Sequence, residues 1–559
     1  MPTTRTGGQI LVDHLVSEGV DRVFCVPGES YLAVLDALHD TDIEIVVCRQ
    51  EGGAAMMAEA YGKLTGRPGI CLVTRGPGAT NASAGIHIAQ QDAPPMILFV
   101  GQVERGFIGR EAFQEVDYRA AFSPIAKWAT EIEDTGRVGE IVSRAFHTAR
   151  SGRPGPVVIA LPEDILTETS DAPAVPPASE AMAWPAPRQI ERLSTLLAES
   201  KLPVAIIGGS RWSAEAVAYF TKIAESFDLP VAVTSPRQML FNADHANFVG
   251  DLGVGPNPAL LDLIGKSDLI LLVGDRLSET PSQSYTLIKP DDDRKLVHVF
   301  PEANELGRFY RPTLSIACSP TEFAQAVSEL RPGTDHAWSQ ITKDARAAYA
   351  AYSDPSAVRI PGEVQMGEIM AFLRERVPSN AIICNGAGNY TAWVHRFYRF
   401  REYGTQLAPV SGSMGYGVPA AVSAKISNPD RMVIAFAGDG CFLMHGQEFA
   451  TAVQHNAPVI VILVDNSMYG TIRMHQERDY PGRVTATKLK NPDFAAYARA
   501  FGGHGETVRS TSEFAEAFER AVASGLPSIL HCIIDPEAIT PTITLAQIRE
   551  RAQAPKSTT

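Results

Sequence analysis

The feature that most constrains this chain is a recurring run of four to seven aliphatic, largely β-branched residues with few polar positions inside it. Such runs occupy 23–26, 43–47, 70–74, 96–100 and 157–161, then 204–207, 231–234, 269–273 and 297–300, then 381–384, 432–437, 459–464 and 528–534. A strand with one wet face alternates polar and apolar residues, whereas a nearly continuous apolar run is buried on both faces. Stretches with helical spacing, such as 52–64 and 79–91, lie between the runs. Parallel neighbours need crossover connections, and helices supply them. The pattern predicts an α/β chain of three doubly wound parallel-sheet domains, with ligand sites beyond the carboxyl ends of the strands.

Two stretches without strand or helix periodicity at their ends divide the chain. The first, 171–188, reads DAPAVPPASEAMAWPAPR; the second, 332–361, carries Pro, Gly and Asp at its ends around a polar middle with helical character. They leave pieces at 1–170, 190–332 and 360–545, and 559 residues suffice for three separate cores. The tail, 556–559, is expected to be unstructured. With 49 basic against 63 acidic residues, the formal charge is −14 and no basic cluster stands out. That balance argues against a nucleic-acid or anionic-membrane surface. No apolar run reaches the roughly 18 residues of a membrane-spanning helix, and Met1–Gly8 lacks the apolar centre of a signal peptide. Seven scattered cysteines with no C-x-x-C pair read as buried thiols in a reducing compartment. The expected location is the cytoplasm.

The sharpest chemical pattern lies in the third piece. The run 432–437 leads into Gly438-Asp439-Gly440-Cys441, and the run 459–464 leads into Asp465-Asn466. Asp439 and Asn466 thus sit at the carboxyl ends of two expected neighbouring strands. Oxygen ligands beside glycines that expose backbone N–H groups suit a Mg²⁺-bound diphosphate, because Mg²⁺ takes about six oxygens. Taken alone, G-D-G is also a common turn.

The spacing from G-D-G to an Asn closing an apolar strand resembles that of thiamine-diphosphate enzymes. Across all three pieces the chain is similar to their acetohydroxyacid synthase and benzaldehyde lyase branch. The resemblance implies an N-terminal pyrimidine-binding domain (1–170), a central domain (190–332) and a C-terminal diphosphate-binding domain (360–545). It implies that Asp439, Asn466 and the main-chain oxygen of Met468 hold Mg²⁺. Gly438, Gly440, Cys441, Tyr469 and Gly470 would line the diphosphate, and Gly388-Asn389-Tyr390 matches the family's second diphosphate turn with altered side chains.

In the first piece, Glu51 opens a helix within Arg49-Gln50-Glu51-Gly52-Gly53. On its own it is a helix N-terminal acid favoured by the macrodipole. The resemblance makes it the carboxylate against the aminopyrimidine ring, which promotes the imino tautomer that deprotonates the thiazolium carbon to its ylid. In 411–417, Gly412 and Met414 match the segment whose bulky residue bends the cofactor; Met414 also suits a core gap-filler. Pro27 and Glu29 fall in the turn that relatives place near the reacting carbon, where Glu29 is either a substrate-facing acid or a solvated turn residue. Asn81 belongs to the G-P-G-A-T-N turn 76–81. Phe113 and Gln114 resemble a synthase loop, Phe113 shaping an acceptor pocket and Gln114 bonding a developing alkoxide.

The chain departs from the synthases where substrates are chosen. His475 stands where they carry Trp, and Thr280 stands where they carry the Arg that clamps an acceptor carboxylate. Arg473 and Arg110 are candidate replacements. The synthases bind FAD in the central domain; Gly208-Gly209 and Arg276 leave FAD open here, since such glycines occur in any strand-to-helix turn. The expectation is a Mg²⁺- and thiamine-diphosphate-dependent carboligase or decarboxylase of a 2-oxo acid, working through an enamine. Alternatives are a 2-hydroxyketone lyase or acyl-transferring relative, and, more remotely, a cofactor-binding protein without turnover. The resemblance further implies small-molecule substrates and a homodimer or homotetramer with active sites shared between subunits.

Overall fold

The computed structural model describes residues 4–177, 179–289, 291–332 and 336–554; the tail 556–559 lies outside them. Among these residues the principal strands form three six-stranded sheets. The first comprises β1 (Arg22–Cys25), β2 (Glu44–Val47), β3 (Gly69–Val73), β4 (Met96–Gln102), β5 (Trp128–Glu131) and β6 (Pro156–Pro162), in the order β2-β1-β3-β4-β6-β5. The central sheet comprises β7 (Pro203–Ile207), β8 (Val231–Thr234), β9 (Phe248–Leu252), β10 (Leu269–Val273), β11 (Lys295–Phe300) and β12 (Leu314–Ala317), in the order β9-β8-β7-β10-β11-β12. The third comprises β13 (Ile382–Asn385), β14 (Gln406–Leu407), β15 (Val433–Gly438), β16 (Ile460–Asp465), β17 (His504–Val508) and β18 (Ser528–Ile533), in the order β14-β13-β15-β16-β18-β17. Every pairing in the three sheets is parallel. The first and third sheets share one strand order, and the central sheet has another.

Three doubly wound parallel sheets are therefore what the apolar runs specify. Strands β3, β4 and β6 are buried at every residue, as continuous apolar runs require. The runs do not reveal β5, β9, β12, β14 and β17, and each of these lies at a sheet edge. An edge strand is wet along one side, so its sequence need not be apolar throughout. The Leu314–Ala317 strand buries one residue of four.

The chain forms two compact units. The first contains Met1–Ala181 together with Pro409–Pro429 and His445–Ala457. Within it, the helix Glu51–Thr65 packs closely on Pro77–Asp92, and a Cβ on Gly85 would lie 2.4 Å from that of Ala55. The helix Gly417–Ser427 is joined to it through Ser423, whose hydroxyl donates to the Met57 carbonyl at 2.8 Å. The second unit contains Met182–Ala408, Asp430–Met444 and Pro458–Thr559, and holds the central and third sheets. The stretch 332–361 contains a helix, Ser339–Tyr352, whose Tyr349 ring lies edge-on to Phe248 of β9 at 4.8 Å. The seven cysteines are all buried, as thiols outside any disulfide. Among the described residues, no helix is long and apolar enough to cross a membrane.

A buried charge cluster ties the first unit together. Lys63 pairs with Glu59 at 2.9 Å and with Asp92, and the Tyr416 hydroxyl donates to Glu59 at 2.5 Å. Glu59 is fully buried. Burial pushes its carboxyl up to about 7, against the attraction of Lys63. A carboxyl raised on folding contributes stability that is complete below about pH 4.5 and lost as pH climbs through about 7. Glu59→Gln keeps the shape and removes that loss. The variant's apparent thermal midpoint should exceed the parent's at pH 8, by the equivalent of about 3 kcal/mol at most, and the gap should close towards pH 5.

Candidate functional site

In the second unit, parallel pairing sets Gly438 opposite Val464, so the chain leaves two adjacent strands with Asp439 and Asp465-Asn466 side by side. Asp439 begins the helix Asp439–His445 and is buried. The Asn491 amide donates to Asp439 at 2.7 Å and to Asp465 at 2.9 Å, bridging the two carboxylates. His531 lies 2.9 Å from the other Asp465 oxygen, and the Ser467 N–H donates to Asp465 at 2.8 Å. Burial pushes the Asp439 carboxyl up to about 6, against the Asn491 hydrogen bond and with the nearby Asp465 charge adding to the rise. Burial also works to raise Asp465, but hydrogen bonds from His531 and Ser467 hold it below the usual carboxylate range.

The loop after β16 is fixed by its own backbone. Ser467 adopts a left-handed conformation (φ 56°), the Tyr469 N–H donates to Thr487, and the Leu489 N–H donates to Ser467. A Cβ on Gly440 would lie 2.6 Å from the Tyr469 ring, and one on Gly470 would lie 2.9 Å from the Asn466 amide nitrogen. The donor set is a carboxylate, an amide oxygen and, at Met468, a main-chain carbonyl. These are hard oxygen donors of the kind Mg²⁺ accepts alongside phosphate and water. Among the described residues no cluster of three or more His, Cys, Asp or Glu offers a competing metal site.

The turn after β13 faces the same strand ends. Gly388 has a φ of 144°, and the Asn389 side chain accepts from the Thr471 hydroxyl at 2.7 Å and donates to the Met474 sulfur at 3.5 Å. Tyr390 is buried, with its hydroxyl 3.3 Å from the Cys441 sulfur. Its ring would lie about 3 Å from a Cβ on either Gly388 or Gly438. Tyr390 is thus a floor beneath both glycine turns. Arg473 is committed to buried Glu477 at 2.5 Å, and Arg549 holds the same carboxylate at 2.7 Å. Arg549 first, then Arg473 and the Gly482 N–H, hold the Glu477 carboxyl down at about 2 against the effect of burial. His475, half-buried on the helix Gly470–Asp479, has a buried Nδ1 without a hydrogen-bond partner. Thr280 is exposed in the loop after β10.

In the first unit, Glu51 opens the helix Glu51–Thr65, with Gln50 as cap accepting from the Gly53 N–H at 3.1 Å. The Asn81 amide donates to Glu51 at 3.0 Å. Glu448, which sequence reasoning missed, holds this turn: its buried carboxylate accepts from the N–H groups of Arg49 (3.1 Å) and Gln50 (2.9 Å). The Thr451 hydroxyl donates to it at 2.6 Å. Nothing in the spacing of the sequence links positions 49–50 to 448. Met414 is half-buried between Gly412 and Gly415, both left-handed. Pro27 is exposed ahead of Glu29, which is bound to Arg75 at 2.8 Å. Phe113 is 73% exposed, and Arg110 is exposed in the same loop. Gln114 adopts a left-handed conformation against Gly76. Glu115 closes this loop, accepting from the N–H groups of Gly109 and Ala112.

Three family models match the chain in order. They are the thiamine pyrophosphate enzyme N-terminal TPP binding domain over residues 5–121, the central domain over 190–327, and the C-terminal TPP binding domain over 386–532. The acetolactate synthase large subunit of Corynebacterium glutamicum is 31% identical over 96% of this chain and 88% of its own length. A probable acetolactate synthase large subunit of Methanocaldococcus jannaschii is 30% identical over 96% of this chain and 93% of its own. The acetolactate synthase isozyme 2 large subunit of Escherichia coli is 29% identical over 95% of each chain.

Removing Glu448 deprives two backbone amides and one hydroxyl of their acceptor. Glu448→Ala should destabilise the chain by about 2–4 kcal/mol, read as a lowered thermal midpoint. Glu448→Gln, which keeps one acceptor oxygen, should lose less.

Proposed function

Because the chain belongs to the thiamine pyrophosphate enzyme family, we propose that it is a thiamine-diphosphate- and Mg²⁺-dependent carboligase or decarboxylase of 2-oxo acids, akin in reaction to acetolactate synthase. The observation that carries this reading is the placement of Asp439 and Asn466 just beyond the ends of two adjacent parallel strands. Asp439, Asn466 and the Met468 carbonyl would hold the metal. The N–H groups of the Gly388 and Gly438–Cys441 turns would receive the diphosphate, with Tyr390 beneath them. Thiamine diphosphate, when bound, supplies a nucleophilic carbon and a sink for the electron pair left by CO₂.

The chain's own residues do the rest. Glu51, fixed by the Glu448 clamp on the preceding turn and by Asn81, holds a proton at the aminopyrimidine ring nitrogen. Met414 would pack against the bound cofactor and orient it. Gln114 donates to the oxygen that gains charge as a carbon–carbon bond forms, and Phe113 lines the acceptor side with Glu29. The two glycines that left a flavin open are accounted for by packing. A Cβ on Gly208 would lie 2.0 Å from the Thr234 hydroxyl, and one on Gly209 would lie 1.7 Å from the Gly274 carbonyl. Close packing of the protein on itself therefore requires both glycines, and no step is routed through FAD. The buried thiols, outside any disulfide, support a cytoplasmic location.

One observation favours a second reading of the acceptor. Thr280 replaces the synthase arginine, and Arg473 is engaged by the Glu477 carboxylate, which it shares with Arg549. An acceptor other than a 2-oxo acid, or cleavage of a 2-hydroxyketone, fits these residues. CO₂ release from a panel of 2-oxo acids, with and without aldehydes, separates ligation, plain decarboxylation and an inert binder. Failure to bind thiamine diphosphate with Mg²⁺ by calorimetry would sink the whole reading. Glu51→Gln should lose about 10²–10⁴ in rate while still binding cofactor, and Asp439→Ala should abolish binding of metal and cofactor.

We further propose that each cofactor is held by Glu51 of one copy and Asp439 of another in a two-fold dimer, either alone or as half of a tetramer. Mixing Glu51→Gln with Asp439→Ala protein, under conditions that exchange subunits, should then restore roughly a quarter of wild-type activity per protomer in a random mixture. Mass spectrometry verifies the exchange. Mixed dimers without activity would refute the shared site.

A further inference from the structure

The carboxyl ends of β1, β3 and β6 in the first unit carry a charge cluster of which the reaction described so far uses Glu29 alone. Arg75 lies two residues beyond β3 and is 8% exposed. Its two terminal nitrogens are both engaged, one with Glu29 at 2.8 Å and the other with Glu163 at 3.3 Å. Its Nε is buried and has no hydrogen-bond partner. The guanidinium carbon stands 6.0 Å from the centre of the Phe113 ring. The next residue, Gly76, lies so close to Gln114 that a Cβ there would be 2.7 Å from the Gln114 Cβ. One buried arginine therefore links Glu29, Phe113 and Gln114, residues the sequence singled out separately.

We propose that Arg75, Glu29 and Glu163 together select the acceptor, and that they take a carbonyl compound whose free end is neutral or positively charged rather than a carboxylate. This rests on the carboligase reading above. A guanidinium binds a carboxylate through its planar fork, and here both arms of the fork already hold glutamates. One positive and two negative groups leave a net charge of −1. Glu29 and Glu163 are also the exposed members, at 65% and 40% of their side chains. An approaching carboxylate meets like charge, whereas a hydroxyl or ammonium group finds free glutamate oxygens. Arg75 is the positioning residue of the set: it holds the two acids together and packs beside Phe113. In the reaction the 2-oxo acid loses CO₂, and its former carbonyl carbon bonds the acceptor carbonyl carbon. The acceptor oxygen takes one proton from solvent, giving a 2-hydroxyketone.

Three two-carbon aldehydes that differ in charge test the proposal: glyoxylate, glycolaldehyde and aminoacetaldehyde. The holoenzyme is supplied with whichever 2-oxo acid releases CO₂ fastest, and kcat/KM for ketone formation is measured with each aldehyde. Glycolaldehyde and aminoacetaldehyde should be used at least about ten-fold better than glyoxylate, given a like charge within the site. Glu163→Gln neutralises the cluster and should narrow that preference roughly five-fold, the effect of one unit charge in a partly solvated site. Arg75→Gln makes the cluster more negative and should widen it. A purely structural role would move both variants the same way or neither, and that result overturns the proposal, as does a wild type that uses glyoxylate as well as glycolaldehyde. If wild type releases CO₂ normally but shows no charge preference, this proposal falls and the carboligase reading stands. If it releases none from any 2-oxo acid, both fall.

Discussion

Parallel pairing is the constraint on which the rest of this chain depends. When neighbouring strands run the same way, every strand-to-helix turn of a sheet emerges at one edge, and residues far apart in sequence arrive together. The pairing of Gly438 with Val464 puts Asp439 beside Asn466. The same geometry in the first sheet gathers Glu29, Arg75 and Glu163, which come from three different strand ends. The strands themselves need little beyond apolar side chains to reach this state, because helices cover both faces. The turns are then free to carry chemistry, and their glycines let backbone approach backbone or ring, as Tyr390 approaches Gly388 and Gly438.

Buried charge is handled in each unit by sharing. Lys63 lies between Glu59 and Asp92, Glu477 between Arg473 and Arg549, and Asp439 and Asp465 around the Asn491 amide. An isolated buried charge would be far too costly. In the second and third clusters the sharing also fixes position. Arg549 belongs to the last helix, Leu545–Gln553, so the Glu477 carboxylate fastens that helix to Gly470–Asp479, which carries His475. Glu448 does the same for Glu51 by using backbone N–H groups in place of a cation.

Much of this was legible in the sequence, and the parts that were not share a cause. The central strands announced themselves because complete burial demands an unbroken apolar run. The edge strands β5, β9, β12, β14 and β17 did not: β5, β12 and β17 are largely part-exposed, and β9 and β14 carry Gly, Asp or Gln inside short strands. Among the candidate residues, Asp439, Asn466 and Glu51 could be picked out because turns beside apolar runs are visible locally. Met414 stood out between glycines, which the structure places in left-handed conformations. Glu448, Asn491 and His531 gave no local signal. Each acts on a partner brought to it by the fold, and an acid inside a helix looks the same whether it faces water or a pair of buried amides.

The sequence by itself determined the class of sheet, the central strands and the helices between them, and the turns where oxygen ligands and glycines would stand, because these follow from periodicity over a dozen residues. Only the tertiary structure decided that Pro409–Pro429 and His445–Ala457 pack with the N-terminal unit. It alone decided that Tyr390 lies beneath the glycine turns, that Arg473 is paired with Glu477, and that Arg75 is held between two glutamates. The reason is range. Hydrophobic patterning is a local property of the chain, whereas charge pairing and close packing join residues up to about 400 positions apart, and those partners exist only once the sheets have formed.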